Sequence, residues 1–377
     1  MSISVVKPPR LLSLDVFRGL TICFMIIVNN GSHRGFPPLE HAKWNGWTLT
    51  DLVFPFFLFI IGTSLTFSFA SRLEDAGSRR AQLPHILRRA AIIFAIGLLL
   101  NAYPHYLLAV WRIPGVLQRI ALCYVAASVL YLWTSPRTRW AIIAALLVGY
   151  WIAMRFVPVP GFGVPTVDIP LLDKDYNLTA WLDRELMLGH LFEPSRDPEG
   201  LLSTLPAIAN TLFGVAAGEW IRNLRLEPAK LMRRLVSVGL ACCIAGELWS
   251  LTFPINKKLW TSSYALLSAG LAMLALAACY WFIDVKQHRS RWTVIPVVLG
   301  TNTIFAYAFS EFAAIASVSI KFKLHGTLTD LKEAFNALTF DHIPHLRLAS
   351  LAYSLFFLTC CWFITWFFYR RKIFLKI

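Results

Sequence analysis

Apolar runs of about twenty residues recur along this chain, and each matches the path an α-helix needs to cross the hydrocarbon core of a bilayer. Candidates lie near 11–30, 50–70, 88–103, 116–133, 140–157, 203–222, 233–253, 262–283, 293–318 and 347–369. Composition agrees: 57% of residues are hydrophobic, only 15% are charged, and the mean hydropathy is +0.58, which does not describe an ordinary soluble domain. The short alternating strands of a β-barrel are missing from the sequence. The predicted fold is therefore all-α, a polytopic membrane protein of about 10 transmembrane helices, with 1–377 forming one transmembrane domain.

Basic residues set the expected orientation, because short cytoplasmic connections are enriched in Lys and Arg. With the N-terminus inside, Lys7, Arg10, Arg72, Arg79, Arg80, Arg88, Arg89, Arg137 and Arg139 gather on one side. Arg222, Arg225, Lys230, Arg233, Arg234, Lys286, Arg289, Arg291, Arg370, Arg371, Lys372 and Lys376 join them, so both termini are expected to be cytoplasmic. This bias accounts for the net charge of +15 without a nucleic-acid partner. No small-residue cleavage site follows the leader, and the first span is expected to serve as its own membrane signal. The cysteines fall inside apolar spans without metal-ligand spacing, so no metal site is expected. No internal repeat is evident, which speaks against transporter folds built by duplication.

Outward connections near 31–48, 157–202 and 321–346 are long enough to shape a site. The first leads into LEHAKWNGWTLTDLVFPFFLFIIG, which places His41, Trp44, Asn45, Trp47 and Asp51 at the mouth of an apolar helix. Free N–H groups at that helix start favour a neutral imidazole and anionic intermediates nearby. Asp51 has two readings, a cap of the helix N-terminus or a carboxylate that orients a histidine ring. Trp44 and Trp47 read either as interfacial belt aromatics or as a stacking surface for a sugar. His33, His105, His190, His325, His342 and His345 also lie on this side or at its boundary, without the spacing of a metal site.

Polar groups inside spans are costly and point to function. Asp15, Arg18 and Asn29 share one stripe of the first helix, within about 60° of one another and spread over roughly 21 Å of its length. That stripe reads either as a track for an extended charged ligand or as a local Asp15–Arg18 ion pair. Gln118 and Arg119 open the fourth span, Asn210 and Glu219 lie in the sixth, Glu247 in the seventh, and Asn302 and Glu311 in the ninth.

The strings LDVFRG, VNNG, HAKWNGWTLTDLVFPFFLFIIG, RIPGVLQRI, DPEGLLSTLPAIANTLFG and INKKLWTSSY, taken in this order, resemble the heparan-α-glucosaminide N-acetyltransferase family, in particular its shorter bacterial members. The resemblance implies a multi-helix membrane enzyme that uses cytoplasmic acetyl-CoA to acetylate an amino sugar on the far side, needs no metal, and forms a homodimer. It implies that His41 is catalytic and that an asparagine ending the preceding helix stands beside it, Asn29 or its neighbour Asn30. A start almost directly at the first span fits a bacterial inner-membrane member, surrounded by membrane lipid. On this reading Arg18, Arg88 and Arg89, with Gln118, Arg119 and Asn302, are candidates to hold the coenzyme. Trp44, Asn45, Lys257, Trp260 and Ser262 are candidates to line the acceptor vestibule. His41 then acts as a general base or as an acyl acceptor, and Asn29 as an oxyanion donor. An O-acetyltransferase of surface glycans and a sugar transporter are the competing readings.

Overall fold

The computed structural model describes residues 11–31, 35–76, 79–324, 327–340 and 342–374, with the side chains of 71–76 and 324 also outside the description. Lys7, Arg10, Ser32, His33, His325, Lys376 and the Arg72 side chain lie outside the described residues. The chain is mostly helical: α1 (Leu12–Asn30), α2 (Val53–Ala76), α3 (Leu83–Ala102), α4 (Val116–Trp133), α5 (Pro136–Phe156), α6 (Leu178–Met187), α7 (Thr204–Leu224), α8 (Pro228–Ser250), α9 (Ser262–Tyr280), α10 (Val294–Thr301), α11 (Thr303–Ser319), α12 (Leu331–Thr339) and α13 (Leu346–Arg370).

Among the described residues, seven helical segments are long and apolar enough to cross a membrane, those built on α1, α2, α3, α4, α5, α9 and α13. The pair α10 and α11 makes an eighth if taken as one span, bent by 79° at Asn302. α7 and α8 occupy the places of the expected sixth and seventh spans, but Asn210, Glu219 and Arg222 in α7 and Lys230, Arg233, Arg234 and Glu247 in α8 make them less apolar. Most of α7 is buried among its neighbours, Asn210 included, whereas Glu219 is half-buried and Arg222 is exposed near the helix end.

Two elements in the connections were not expected: the hairpin in which β1 (Lys321–Leu324) pairs antiparallel with β2 (Thr327–Asp330), a departure from the all-helical reading, and the short helix α6 in the long connection between α5 and α7. Period-two and amphipathic segments this short are hidden beside long apolar runs.

Small residues set the closest contacts between helices. A Cβ on Gly62 would stand 1.9 Å from the Thr211 carbonyl oxygen, and one on Gly214 would stand 2.0 Å from that of Phe59. α2 and α7 therefore meet backbone to backbone, and the Thr63 hydroxyl adds a 3.0 Å bond to the Gly214 carbonyl. α1 meets α10 in the same way, with Gly19 against Pro296 and Gly300 against Asp15. These seams fix the start of α2 and the polar stripe of α1.

Candidate functional site

The turn before α2 carries the first part of the site. Pro37 and Pro38 open a single helical turn at Pro37–Leu39, and Thr48 with Asp51 forms a capping box over the turn Leu49–Leu52. Asp51 performs both roles that its sequence allowed. Its Oδ2 accepts the backbone N–H of Thr48 at 3.0 Å and of Ala42 at 3.1 Å. Its Oδ1 lies 2.8 Å from Nδ1 of His41. The carboxylate side chain is 1% exposed, whereas the His41 side chain is 48% exposed. With its second oxygen filled by amide donors, Asp51 acts as an acceptor toward the ring and favours the tautomer with the proton on Nδ1. Nε2 is then the nitrogen left with a free lone pair.

The connection between α8 and α9 closes on this turn. Gly46, at φ +96°, donates its N–H to the Ile255 carbonyl at 2.8 Å, and Asn256 Nδ2 donates to Asn45 Oδ1 at 3.1 Å. Tyr264 reaches across to the Asp51 carbonyl at 2.5 Å. These ties deliver Lys257, whose Nζ lies 3.0 Å from His41 Nδ1, 3.4 Å from Nε2 and 3.5 Å from Asp51 Oδ1. Burial holds the Lys257 ammonium below its ordinary pKa, against the pull of Asp51 and Glu199.

A cavity of about 610 Å³ opens over this group. His41, Asn29, Asp51, Trp44, Lys257 and Trp260 all line it, so six of the sequence candidates converge. Asn29 donates its amide N–H to Glu311 at 2.8 Å, and both line a further cavity of about 490 Å³ that also reaches His41. Asn30 turns away and donates to the Ile26 carbonyl at 2.8 Å, which settles which asparagine faces the histidine's cavities. The Trp44 ring is flanked by Arg196, Lys174 and Lys258 at 5.0, 5.7 and 5.9 Å. Asn45 and Ser262 do not line the cavity: Asn45 ties the two connections together, and Ser262 donates to the Leu147 carbonyl at 2.7 Å.

A third cavity, of about 340 Å³, takes in Arg18 and Arg89. Arg18 makes the expected ion pair with Asp15 at 3.3 Å while also bonding Ser64 at 2.6 Å and the Gly300 carbonyl at 3.0 Å. Arg88 is exposed and does not line it. Nor do Gln118, Arg119 and Asn302. Gln118 packs between Gly97 and Gly115, Arg119 donates to the Gly200 carbonyl at 2.9 Å and Ser203 at 2.5 Å, and Asn302 donates to the Ile373 carbonyl at 3.0 Å.

Sequence reasoning did not place Arg112, Glu199, Glu311 or Tyr307 in the site. Arg112 grips Asp197 through two bonds of 2.8 and 2.7 Å and Glu199 at 2.6 Å on the cavity wall. Burial would lower the Arg112 pKa, but these carboxylates raise it above the ordinary arginine value. The available signal was a cation in RIPG and paired acids in DPEG on the side otherwise poor in cations.

The fold and site together define a multi-pass helical membrane protein with a carboxylate-paired histidine lining a cavity that shares Tyr307 with a second one around Arg18. Residues 10–253 match the family described as heparan-alpha-glucosaminide N-acetyltransferase, catalytic, and the chain belongs to that family. It is 31% identical over 427 residues to the human heparan-alpha-glucosaminide N-acetyltransferase, covering 98% of this chain and 60% of that protein. It is 32% identical over 359 residues to the mouse protein of the same name, covering 80% and 53%. The chain thus spans 53–60% of the length of these relatives. Lys257, Tyr307 and Glu311 come from beyond the matched range.

Proposed function

We propose that this chain takes an acetyl group from acetyl-CoA at its basic end and delivers it to the amino group of a glucosamine-type sugar at the His41 end. One observation carries the reading: the cavities of about 610 and 340 Å³ together follow α2 and the turn before it from Asp51 to Ser68. At 1.5 Å per residue that course is about 26 Å, most of the roughly 30 Å hydrocarbon core. On this reading there are ten crossings, with α10 and α11 forming one, α7 buried over most of its length and α8 packed along a single buried edge. The basic connections then face the cytoplasm, with both termini.

The residues at the Arg18 end suit a donor with a polyanionic head and a slender arm. Arg18 and Arg89 line that chamber, and Nε of Arg89 is buried with no hydrogen-bond partner among the described residues. The donor supplies an acetyl thioester, and the protein supplies position and proton transfer. Nε2 of His41 removes a proton from the sugar amine as its nitrogen bonds to the thioester carbon. Asn29 offers an amide N–H to the oxyanion, worth a few kcal/mol in such sites. The carbon–sulfur bond breaks, the amide forms, and the imidazolium returns its proton to the departing thiolate. If acetyl passes through the ring instead, label stays on the protein when acceptor is withheld.

Purified protein in proteoliposomes, given radiolabelled acetyl-CoA and glucosamine, should yield N-acetylglucosamine, and His41→Ala should abolish it. Equal product from His41→Ala sinks the reading, and an ester in place of an amide moves it to O-acetylation.

A further inference from the structure

Tyr307 occupies a singular place between the two chambers. It is 7% exposed, and its side chain lines both the Arg18 chamber and the His41 chamber, which share no other lining residue among those described. Around it the wall is thin. On α2, Phe54 faces the upper chamber and Phe57 the lower, a step of about 4.5 Å along the helix. On α4, adjacent residues divide in the same way, Val116 above and Leu117 below. One turn before Tyr307 on α11, Thr303 and Ile304 line the lower chamber alone.

A partition one side chain thick changes what crosses when that side chain moves. An aromatic ring can swing about two side-chain torsions without disturbing the helix that carries it. Closure has a chemical value, because a histidine able to activate an amine can equally activate water. The wasteful reaction converts acetyl-CoA and water to acetate and coenzyme A, with water's oxygen entering the acetate and its proton passing to the thiolate. Excluding water from the waiting thioester prevents it.

We propose that Tyr307 is the movable partition of the passage, closed against water until the acyl end of the donor displaces its ring. This rests on the reading that an acyl group travels between the chambers, and it makes Tyr307 a positioning residue.

The test compares wild type with Tyr307→Ala, Tyr307→Phe and Tyr307→Trp in three measurements: acetyl transfer to glucosamine, acetate release without acceptor, and calorimetric binding of free coenzyme A. Removing the ring in Tyr307→Ala should raise acetate release by about tenfold relative to transfer. Tyr307→Phe should restore the wild-type ratio, because the ring and not the hydroxyl makes the seal. Tyr307→Trp should wedge the partition shut, losing transfer while coenzyme A still binds. An unchanged acetate-to-transfer ratio in Tyr307→Ala, or wild-type transfer by Tyr307→Trp, overturns the proposal while leaving the acetyltransferase reading intact. A wild-type protein that transfers no acetyl group overturns that reading first. If Tyr307→Ala does not fold, the Tyr307→Trp result decides.

Discussion

Lys257 Nζ lies 3.0 Å from His41 Nδ1 and 3.5 Å from Asp51 Oδ1, so the ring is bracketed by one cation and one anion that also face each other. Two connections more than two hundred residues apart close this triangle, and removing any corner changes the environment of the other two.

The alkaline side of the pH–rate profile should report Lys257. Burial lowers its pKa from 10.5, so its charge is lost on raising the pH to a value below that of an exposed lysine. Activity that depends on the ammonium should fall there, and Lys257→Arg should move the fall to higher pH. The stability sign is opposite: between the folded and unfolded pKa values the unfolded chain binds more protons, so raising the pH stabilises the fold. A wild-type limb that stays in place in Lys257→Arg would remove Lys257 from the account.

Asp51→Asn should lower kcat by about 100-fold or more, because an amide no longer fixes the Nδ1–H tautomer. Single-turnover kinetics with saturating donor measure this directly. A loss confined to KM would assign Asp51 to capping alone.

Asn29→Ala should cost about 10²- to 10³-fold in kcat with little change in KM, as expected for a donor used in the transition state. Glu311→Gln keeps an acceptor oxygen for the Asn29 amide and should cost far less. The double variant should be no worse than Asn29→Ala, and additive losses would separate the two residues.

Asp183 should tie stability to mild acid. Burial raises its pKa from 3.8 to about 7, with Asp197 adding and the Leu201 N–H and Arg119 opposing. The folded chain therefore holds the proton more tightly, and its contribution is complete below about pH 4 and lost as pH rises to about 7, up to about 4 kcal/mol. Unfolding midpoints of wild type should fall across that window more steeply than those of Asp183→Asn. Parallel curves would show that Asp183 does not titrate there.

What the sequence revealed depended on the range of the forces involved. The spans, the Asp51 cap and the α1 stripe were legible because they follow from residues a few positions apart. The break at Asn302 was not, because 293–318 reads as one apolar run whose bend is set by packing against α1 and α13. Lys257 was found through the string INKKLWTSSY, whereas Arg112, Glu199 and Tyr307 meet His41 only after distant connections close over the bundle. For Arg112 and Glu199 the sequence held only the weak signal of a cation in RIPG and paired acids in DPEG, and for Tyr307 none.

The glycine seams bear on how anything could travel through this molecule. Where Gly62 lies on Thr211 and Gly214 on Phe59, main chains touch with no side chain between them that could act as a bearing. A machine that alternates by sliding those two rods would have to break one of its closest joints in every cycle. The proposed acyl transfer therefore calls on side chains, not these helices, to give way.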